Sequence, residues 1–231
     1  QSLTYTPQVK VYSWTGPNGF TSTLQNPSIP NITTAASGVY NVTISINGSC
    51  PVTASTAAVT VNPRPTGDIS GSGVYCAGDN TSTTLTMNFT GTGPWNYTLS
   101  SGLTGTASSS PHTIVVSPTA TTTYTITALT DANCPSIAAD RTGSATVTVN
   151  PLAGTPTATV THPTCALATG SITMTAPLGA GNSYTLDGTT TITWPTVTFT
   201  GVAAGPHTIT VANSFGCAAP ASASVTLNPQ P

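Results

Sequence analysis

The sequence predicts an all-β chain: three tandem immunoglobulin-like β-sandwich domains, the first incomplete at its N-terminus. Three observations carry this. Short runs of Thr, Val and Ile alternate with polar residues, and Pro or Gly interrupts them before a helical period can build. Landmarks recur at fixed spacing and each recurrence closes on Asn-Pro. A bulky aromatic stands in mid-strand once per repeat, as a core between two sheets requires.

The closing strands are AVTVNP at 58–63, TVTVNP at 146–151 and SVTLNP at 224–229. Alternation puts apolar side chains on one face and hydroxyls on the other, and the proline lacks the N–H that would extend the ladder. Before each closing strand lies another, VYNVTIS at 39–45, TYTITAL at 123–129 and PHTITVA at 206–212, followed by a cysteine. Tyr40 to Cys50, Tyr124 to Cys134 and His207 to Cys217 each span ten residues. Earlier in each repeat come VYSW at 11–14, PWNYTL at 94–99 and SYTLDG at 183–188, where Trp14, Trp95 or Tyr97, and Tyr184 are the core candidates. Gly-Pro-Asn-Gly at 16–19 reads as a turn. Turn signals at intervals of about 8 to 12 residues suit sandwiches of about seven strands. The expected domains are 1–62, 63–150 and 151–231, separated by short Pro-rich connections that favour an extended, semi-rigid string.

Composition narrows the function. Charged residues make up 3% of the 231, against roughly 25% in an ordinary soluble domain, so 51 Thr and 24 Ser supply the polar surface. One Lys and two Arg cannot neutralise a phosphate backbone, which excludes nucleic acid as the main partner. They equally exclude a strongly charged steering surface. No apolar run is long enough to insert in a membrane as a helix. Residues 1–20 lack a basic start followed by an apolar stretch, so any export signal is expected outside this sequence.

Five cysteines remain to be placed. Cys76 and Cys134 bracket the second domain and Cys165 and Cys217 the third, so two bridges are expected, Cys76 to Cys134 and Cys165 to Cys217. Each would join an early strand to the loop after the Tyr or His strand, contribute on the order of 4 kcal/mol through chain entropy, and place the chain outside the cytosol. Free buried thiols are the alternative. Cys50 is left unpaired, and by the same register its partner falls before Gln1. The chain is therefore expected to be a segment of a longer protein, or a unit that receives a strand from a neighbour. Zinc held by His162, Cys165, His207 and Cys217 would match no common spacing, and no metal is assigned.

Chemistry is sparse. Five Asp, no Glu and three His are scattered through the repeats. Asp131 and Asp187 sit in Asp-Ala-Asn and Asp-Gly contexts that read as Asx-turns. No loop gathers the carboxylates calcium needs, and no serine sits on a nucleophile elbow. No catalytic, cofactor or metal residue is assigned, and His207 reads as a packed strand residue in the place of Tyr40 and Tyr124. Of the three tryptophans, Trp194 is the candidate surface aromatic for stacking on sugar.

The third repeat, with HPTCALATGSITM at 162–174, YTLDG at 184–188 and FTGVAAGPHTITVANSFGC at 199–217, resembles the SprB-type repeat of gliding-motility adhesins. YCAGDNTSTTLTMNFTGTGPWNYTL at 75–99 and SPTATTTYTITALTDANC at 117–134 resemble immunoglobulin-like repeats of the same large Bacteroidetes-type surface proteins. YSWTGPNGF at 12–20 and TTAASGVYNVTI at 33–44 resemble their PKD-like or Ig-like modules. His207 stands where the third repeat's relatives carry Tyr. The resemblance implies export, by the type IX route, to the cell surface. The expected function is a non-enzymatic structural segment of an adhesin, stalk or filament. Its expected partners are neighbouring modules, copies of the same protein, and surface polysaccharide. Two rivals are a filament subunit that assembles by strand donation and a carbohydrate-binding module of a secreted enzyme. The second rival predicts a planar row of exposed aromatics.

Overall fold

The computed structural model describes residues 8–231, so the first seven residues of the expected 1–62 domain lie outside the described part. Strands and three short 3-10 turns make up its regular structure. The first repeat contributes β1 (Lys10–Thr15), β2 (Thr21–Ser22), β3 (Asn41–Ile46) and β4 (Ser49–Ser55), antiparallel in the order β2-β1-β3-β4. Trp14 lies opposite Val42 in this sheet. Ala36, Tyr40 and Val42 are buried, whereas every residue of β4 is exposed. Gly16 is required beside Tyr40, because a Cβ there would overlap the tyrosine ring.

The second repeat contributes β5 (Gly67–Ser70), β6 (Ser72–Cys76), β7 (Thr83–Phe89), β8 (Trp95–Leu99), β9 (Thr104–Ala107), β10 (His112–Val116), β11 (Thr122–Tyr124), β12 (Ile126–Thr130), β13 (Arg141–Gly143) and β14 (Ala145–Asn150). They form sheets in the orders β10-β7-β5-β13, β11-β14-β6 and β12-β8-β9. Period-two alternation is plain in β8, where Trp95, Tyr97 and Leu99 turn inward, and in β7, where Leu85, Met87 and Phe89 do. Phe89 stacks on both Trp95 and Tyr97, with centroids 5.7 and 6.0 Å away. The closing strand β14 pairs in parallel with β6, which brings Asn150 opposite Cys76.

The third repeat contributes β15 (Thr157–Thr161), β16 (Gly170–Ala176), β17 (Ser183–Leu186), β18 (Thr190–Thr193), β19 (Thr198–Val202), β20 (Gly205–Ala212) and β21 (Ala223–Leu227). Its two sheets, β15-β16-β19 and β18-β17-β20-β21, face each other over a shared core. Ile172, Met174 and Phe199 come from the first; Tyr184, Ile209 and Leu227 come from the second. Tyr184 is fully buried and its hydroxyl donates to the Pro177 carbonyl at 2.7 Å, so the largest core side chain leaves no unpaired polar atom. The chain is thus an all-β fold of immunoglobulin-like sandwich type. Its strands group into two compact units, one that runs to Asp68 and includes Met87–His112 and Ile126–Gly143, and one formed by Ile69–Thr86, Thr113–Thr125 and Ser144–Pro231.

Hydroxyls do on the outer faces what charges do elsewhere. Thr123 pairs with Thr146 at 2.9 Å, Thr173 with Thr198 at 3.1 Å and Thr185 with Thr191 at 2.9 Å, each between residues opposite one another in neighbouring strands. Asn96 accepts from Thr106, its cross-strand partner, at 2.6 Å. Such pairs hold register as well as solvate the face. A double-mutant cycle over Thr185→Ala and Thr191→Ala, read by urea unfolding, is expected to show a coupling of about 0.2–1 kcal/mol. Ile209→Ala in the core is expected to cost about 2–5 kcal/mol in the same assay.

Candidate functional site

The ten-residue register marks a corner in the fold. Tyr40 donates its hydroxyl to the carbonyl of Ala36, four residues back, at 2.7 Å. His207 makes the equivalent contact from Nε2 to the carbonyl of Ala203, also four residues back, at 2.9 Å. Both resemble the tyrosine corner of immunoglobulin sandwiches, in which a side chain ties the start of a late strand to the turn before it. Ala36, Ala120 and Ala203 stand four residues ahead of Tyr40, Tyr124 and His207, a repeat that sequence reasoning missed although it was readable. In the second repeat Thr122 Oγ1 donates to the Ala120 carbonyl at 2.8 Å.

His207 makes a second contact. Its Nδ1 lies 2.7 Å from Asp187 Oδ2, with the side chains 12% and 41% exposed. Asp187 sits at φ 50 ahead of Gly188 at φ 68, the left-handed pair that an Asp-Gly hairpin turn uses. Its N–H donates to the Thr208 carbonyl at 2.9 Å, and its Oδ1 accepts from the Thr208 N–H at 2.8 Å. The structure corrects the Asx-turn reading of Asp187: the backbone Thr189 N–H to Leu186 carbonyl bond closes the turn, and the carboxylate instead takes His207 and Thr208 on the neighbouring strand. Nδ1 faces a carboxylate and Nε2 a carbonyl, so both contacts are satisfied as hydrogen bonds only when the ring is protonated. Asp187 first, and the Ala203 carbonyl second, raise the His207 pKa. The same imidazolium hydrogen bond, followed by that from the Thr208 N–H, lowers that of Asp187. With its second nitrogen committed to Ala203, His207 has no free lone pair for general base chemistry.

The cysteine loops share a plan. Asp131 N–H donates to the Cys134 carbonyl at 3.0 Å, and Asp131 Oδ1 accepts from the Cys134 N–H at 2.7 Å. Asn213 N–H donates to the Cys217 carbonyl at 3.1 Å, and Asn213 Oδ1 accepts from the Cys217 N–H at 3.1 Å. In each loop an Asx side chain at the end of a strand closes the turn and aims the cysteine. Burial works to raise the Asp131 pKa, but donation from the Thr92, Cys134 and Asn133 N–H groups prevails and lowers it. In the first repeat Asn47 instead exchanges hydrogen bonds with Val9, and Cys50 follows the Asn47-Gly48 turn.

The structure corrects the expected bridges. Cys76 is bonded to Cys217, with Cα atoms 5.6 Å apart and 141 residues between them in sequence; Cys50, Cys134 and Cys165 carry free thiols. Neither Cys76–Cys134 nor Cys165–Cys217 is formed. The reason is local. Cys76 is placed at Asn150 by the β6–β14 pairing, and the Ala77 N–H donates to the Asn150 carbonyl at 2.8 Å. The Cys217 loop reaches the next residue, with Asn213 Nδ2 donating to the Pro151 carbonyl at 2.8 Å. Cys134 lies instead against the connection before its own repeat, with Sγ 3.9 Å from the Asn62 carbonyl. It lines a cleft of about 510 Å³ with Ile32, Pro63, Arg64 and Asp140, whose Arg64 Nε to Asp140 Oδ2 pair spans 2.8 Å. Cys165 is exposed beside the C-terminal Asn-Pro, where Gln230 Nε2 donates to its carbonyl at 3.0 Å.

Two apolar features complete the surface. Trp14, Phe20, Pro27, Ile29 and Tyr40 line a groove of about 440 Å³ in the first repeat. Trp194 is 39% exposed in the turn after β18, and Phe215 is exposed in the Cys217 loop. Among the described residues no group of three or more His, Cys, Asp or Glu is placed to hold a metal ion.

The corner pair makes stability depend on pH in a defined direction. Folding raises the His207 pKa, so its contribution is complete below the ordinary imidazole value of about 6.5 and is lost as pH rises through the folded value. Folding lowers the Asp187 pKa, so its contribution is complete above about 3.9 and is lost as pH falls through the folded value. His207→Tyr keeps a donor for Ala203 and removes the titration. The urea midpoint of the unsubstituted chain is expected to fall from pH 6 to pH 8 by more than that of His207→Tyr; an equal fall in both would contradict the pairing.

No protein family model matches the chain, and no curated protein does. Among solved structures it is similar to the I-band fragment I67–I69 of titin, at a TM-score of 0.44 and 11% identity over 96% of this chain and 88% of that one. It is also similar to extracellular domains 3–5 of Drosophila OTK (TM-score 0.29, 14% identity, 96% of this chain and 85% of that one). A third similar structure is the three N-terminal domains of the bacteriophage RB49 outer capsid protein Hoc (TM-score 0.35, 11% identity, 95% and 88%).

Proposed function

We propose that the chain is a non-enzymatic structural segment of an extracellular surface adhesin, stalk or filament, made of modules 1–62, 63–150 and 151–231. The observation that carries this is the Cys76–Cys217 bond, which joins a position in the second module to one in the third beside the Asn150-Pro151 connection. A covalent tie at a module boundary resists separation under load, which a spacer needs and a catalyst does not. A stable disulfide suits an oxidising compartment outside the cytosol. The resemblance of the repeats to SprB-type, Ig-like and PKD-like modules supports cell-surface placement by the type IX route, with neighbouring modules or further copies as partners. The sugar-binding reading finds less support: the exposed aromatics among the described residues, Trp194 and Phe215, lie on separate loops and form no planar row.

Pulling the full chain by its ends in single-molecule force spectroscopy tests the load-bearing role. At about 3.5 Å per extended residue, the 141-residue separation bridged by Cys76 and Cys217 withholds about 500 Å of contour length. That length is expected to appear only after reductant is added. Equal contour lengths with and without reductant would overturn the proposal.

A further inference from the structure

The groove of the first repeat is held in shape by the repeat itself. Tyr40 is its most buried ring, and its N–H donates to Thr56 Oγ1, another lining residue, at 3.1 Å. Phe20 stands edge-on to Tyr40, with centroids 5.4 Å apart and planes at 75°. The Gly16 N–H to Phe20 carbonyl bond at 3.0 Å holds it there. Trp14 Nε1 donates to the Leu24 carbonyl at 3.0 Å, which ties the neighbouring Gln25-Asn26 rim to the indole. Gly38 and Val59 exchange both backbone hydrogen bonds at 2.9 Å, which fixes Val59 in the lining. A lining ordered in advance has little left to lose on binding.

We infer that this groove binds a neutral sugar chain, with the carbon-bound face of a pyranose ring against Trp14 and Phe20 and its hydroxyls at Gln25 and Asn26. Three observations select that chemistry. No Asp, His, Lys or Arg lines the groove, so a charged ligand would give up its hydration with no counter-charge to replace it. The polar ends of both Trp14 and Tyr40 are committed within the repeat, to the Leu24 and Ala36 carbonyls, so their rings offer carbon surface alone. The C–H groups of a sugar ring carry slight positive charge and suit the negative face of an aromatic. The Gln25 and Asn26 side chains are exposed and hydrogen-bond to no other described residue, and each amide both donates and accepts, as a hydroxyl does. A proline-rich peptide, the other ligand of aromatic grooves, presents carbonyl acceptors and calls for ring N–H and O–H donors; here both are already spent. The volume of about 440 Å³ falls within the range of ligand sites. It is a recess rather than a planar row, so it suits a stretch of one chain and not a flat polysaccharide surface. The site adds an adhesive contact to the structural segment proposed above and rests on none of its disulfides.

The test is saturation-transfer-difference NMR on the full chain with four probes of equal length: cellohexaose, mannohexaose, a galacturonic acid hexamer and hexaproline. Transfer is expected to the carbon-bound hydrogens of at least one neutral hexasaccharide, and to be at least tenfold weaker for the other two probes. Trp14→Ala is expected to abolish it. Because Trp14 also packs within the repeat, Gln25→Ala combined with Asn26→Ala supplies a second reading. Both side chains are exposed, and their removal is expected to raise the Kd about tenfold while the urea midpoint stays unchanged. Trp194→Ala is expected to leave the signal as it was. The inference is overturned by no transfer to either neutral hexasaccharide, equal transfer to hexaproline, an unchanged Kd in the double variant, or loss of signal in Trp194→Ala. The Cys76–Cys217 bond is read separately by force, so failure here removes the sugar site and leaves the structural reading standing.

Discussion

The bond between Cys76 and Cys217 is the constraint on which the account of this chain depends. Two independent pieces of backbone geometry have to meet for it to form. Parallel pairing of β6 with β14 puts Cys76 at Asn150, and the Asn213 turn presents Cys217 beside Pro151. A bridge between residues 141 apart removes on the order of 5 kcal/mol of chain entropy from the unfolded state, more than either shorter loop expected from the sequence. It also lies beside an Asn-Pro connection, where the proline offers no N–H for a continuing ladder and a covalent tie supplies what hydrogen bonding cannot.

The corner residues show one structural task met by two chemistries. Tyr40 and His207 each reach a carbonyl four residues back, one with a neutral hydroxyl and one with a charged ring. The charged version needs a counter-ion, and Asp187 provides it from the tip of the β17–β18 hairpin, at a left-handed position that Asp tolerates better than most residues. Three of the eight Asp, Lys and Arg residues in the chain, Asp187, Arg64 and Asp140, are thus committed to ion pairs. The remaining polar surface rests on hydroxyl pairs between strands, which keep an almost uncharged chain in register.

Much of this fold was legible in the sequence because it is written with period two. The alternation in TLTMNF, WNYTL and HTITV announces which residues turn inward, and Met87, Trp95, Tyr97, Ile209 and Val211 do so. Trp14 departs from the same expectation: it is only part-buried and lines a groove in a single four-stranded sheet. The disulfide partners were not legible. Bracketing one repeat with two cysteines assumes that the sandwich closes on itself, whereas the cysteine loops are aimed by Asp131 and Asn213 toward the connection preceding each repeat, at Asn62 and Pro151. Nothing in the spacing of cysteines along the chain encodes that direction. The Asp187–His207 pair escaped for a similar reason: its members are 20 residues apart, on hairpin tip and strand, and only the β17–β20 pairing unites them.

A chain organised in this way holds its second and third repeats together through sulfur. The most direct measurement of that organisation is a disulfide map of the purified, thiol-blocked chain, digested without reduction and read by mass spectrometry. A linked peptide pair containing Cys76 and Cys217, with Cys134 blocked as a free thiol, is the predicted result. Linkage of Cys76 to Cys134, or of Cys165 to Cys217, would contradict it.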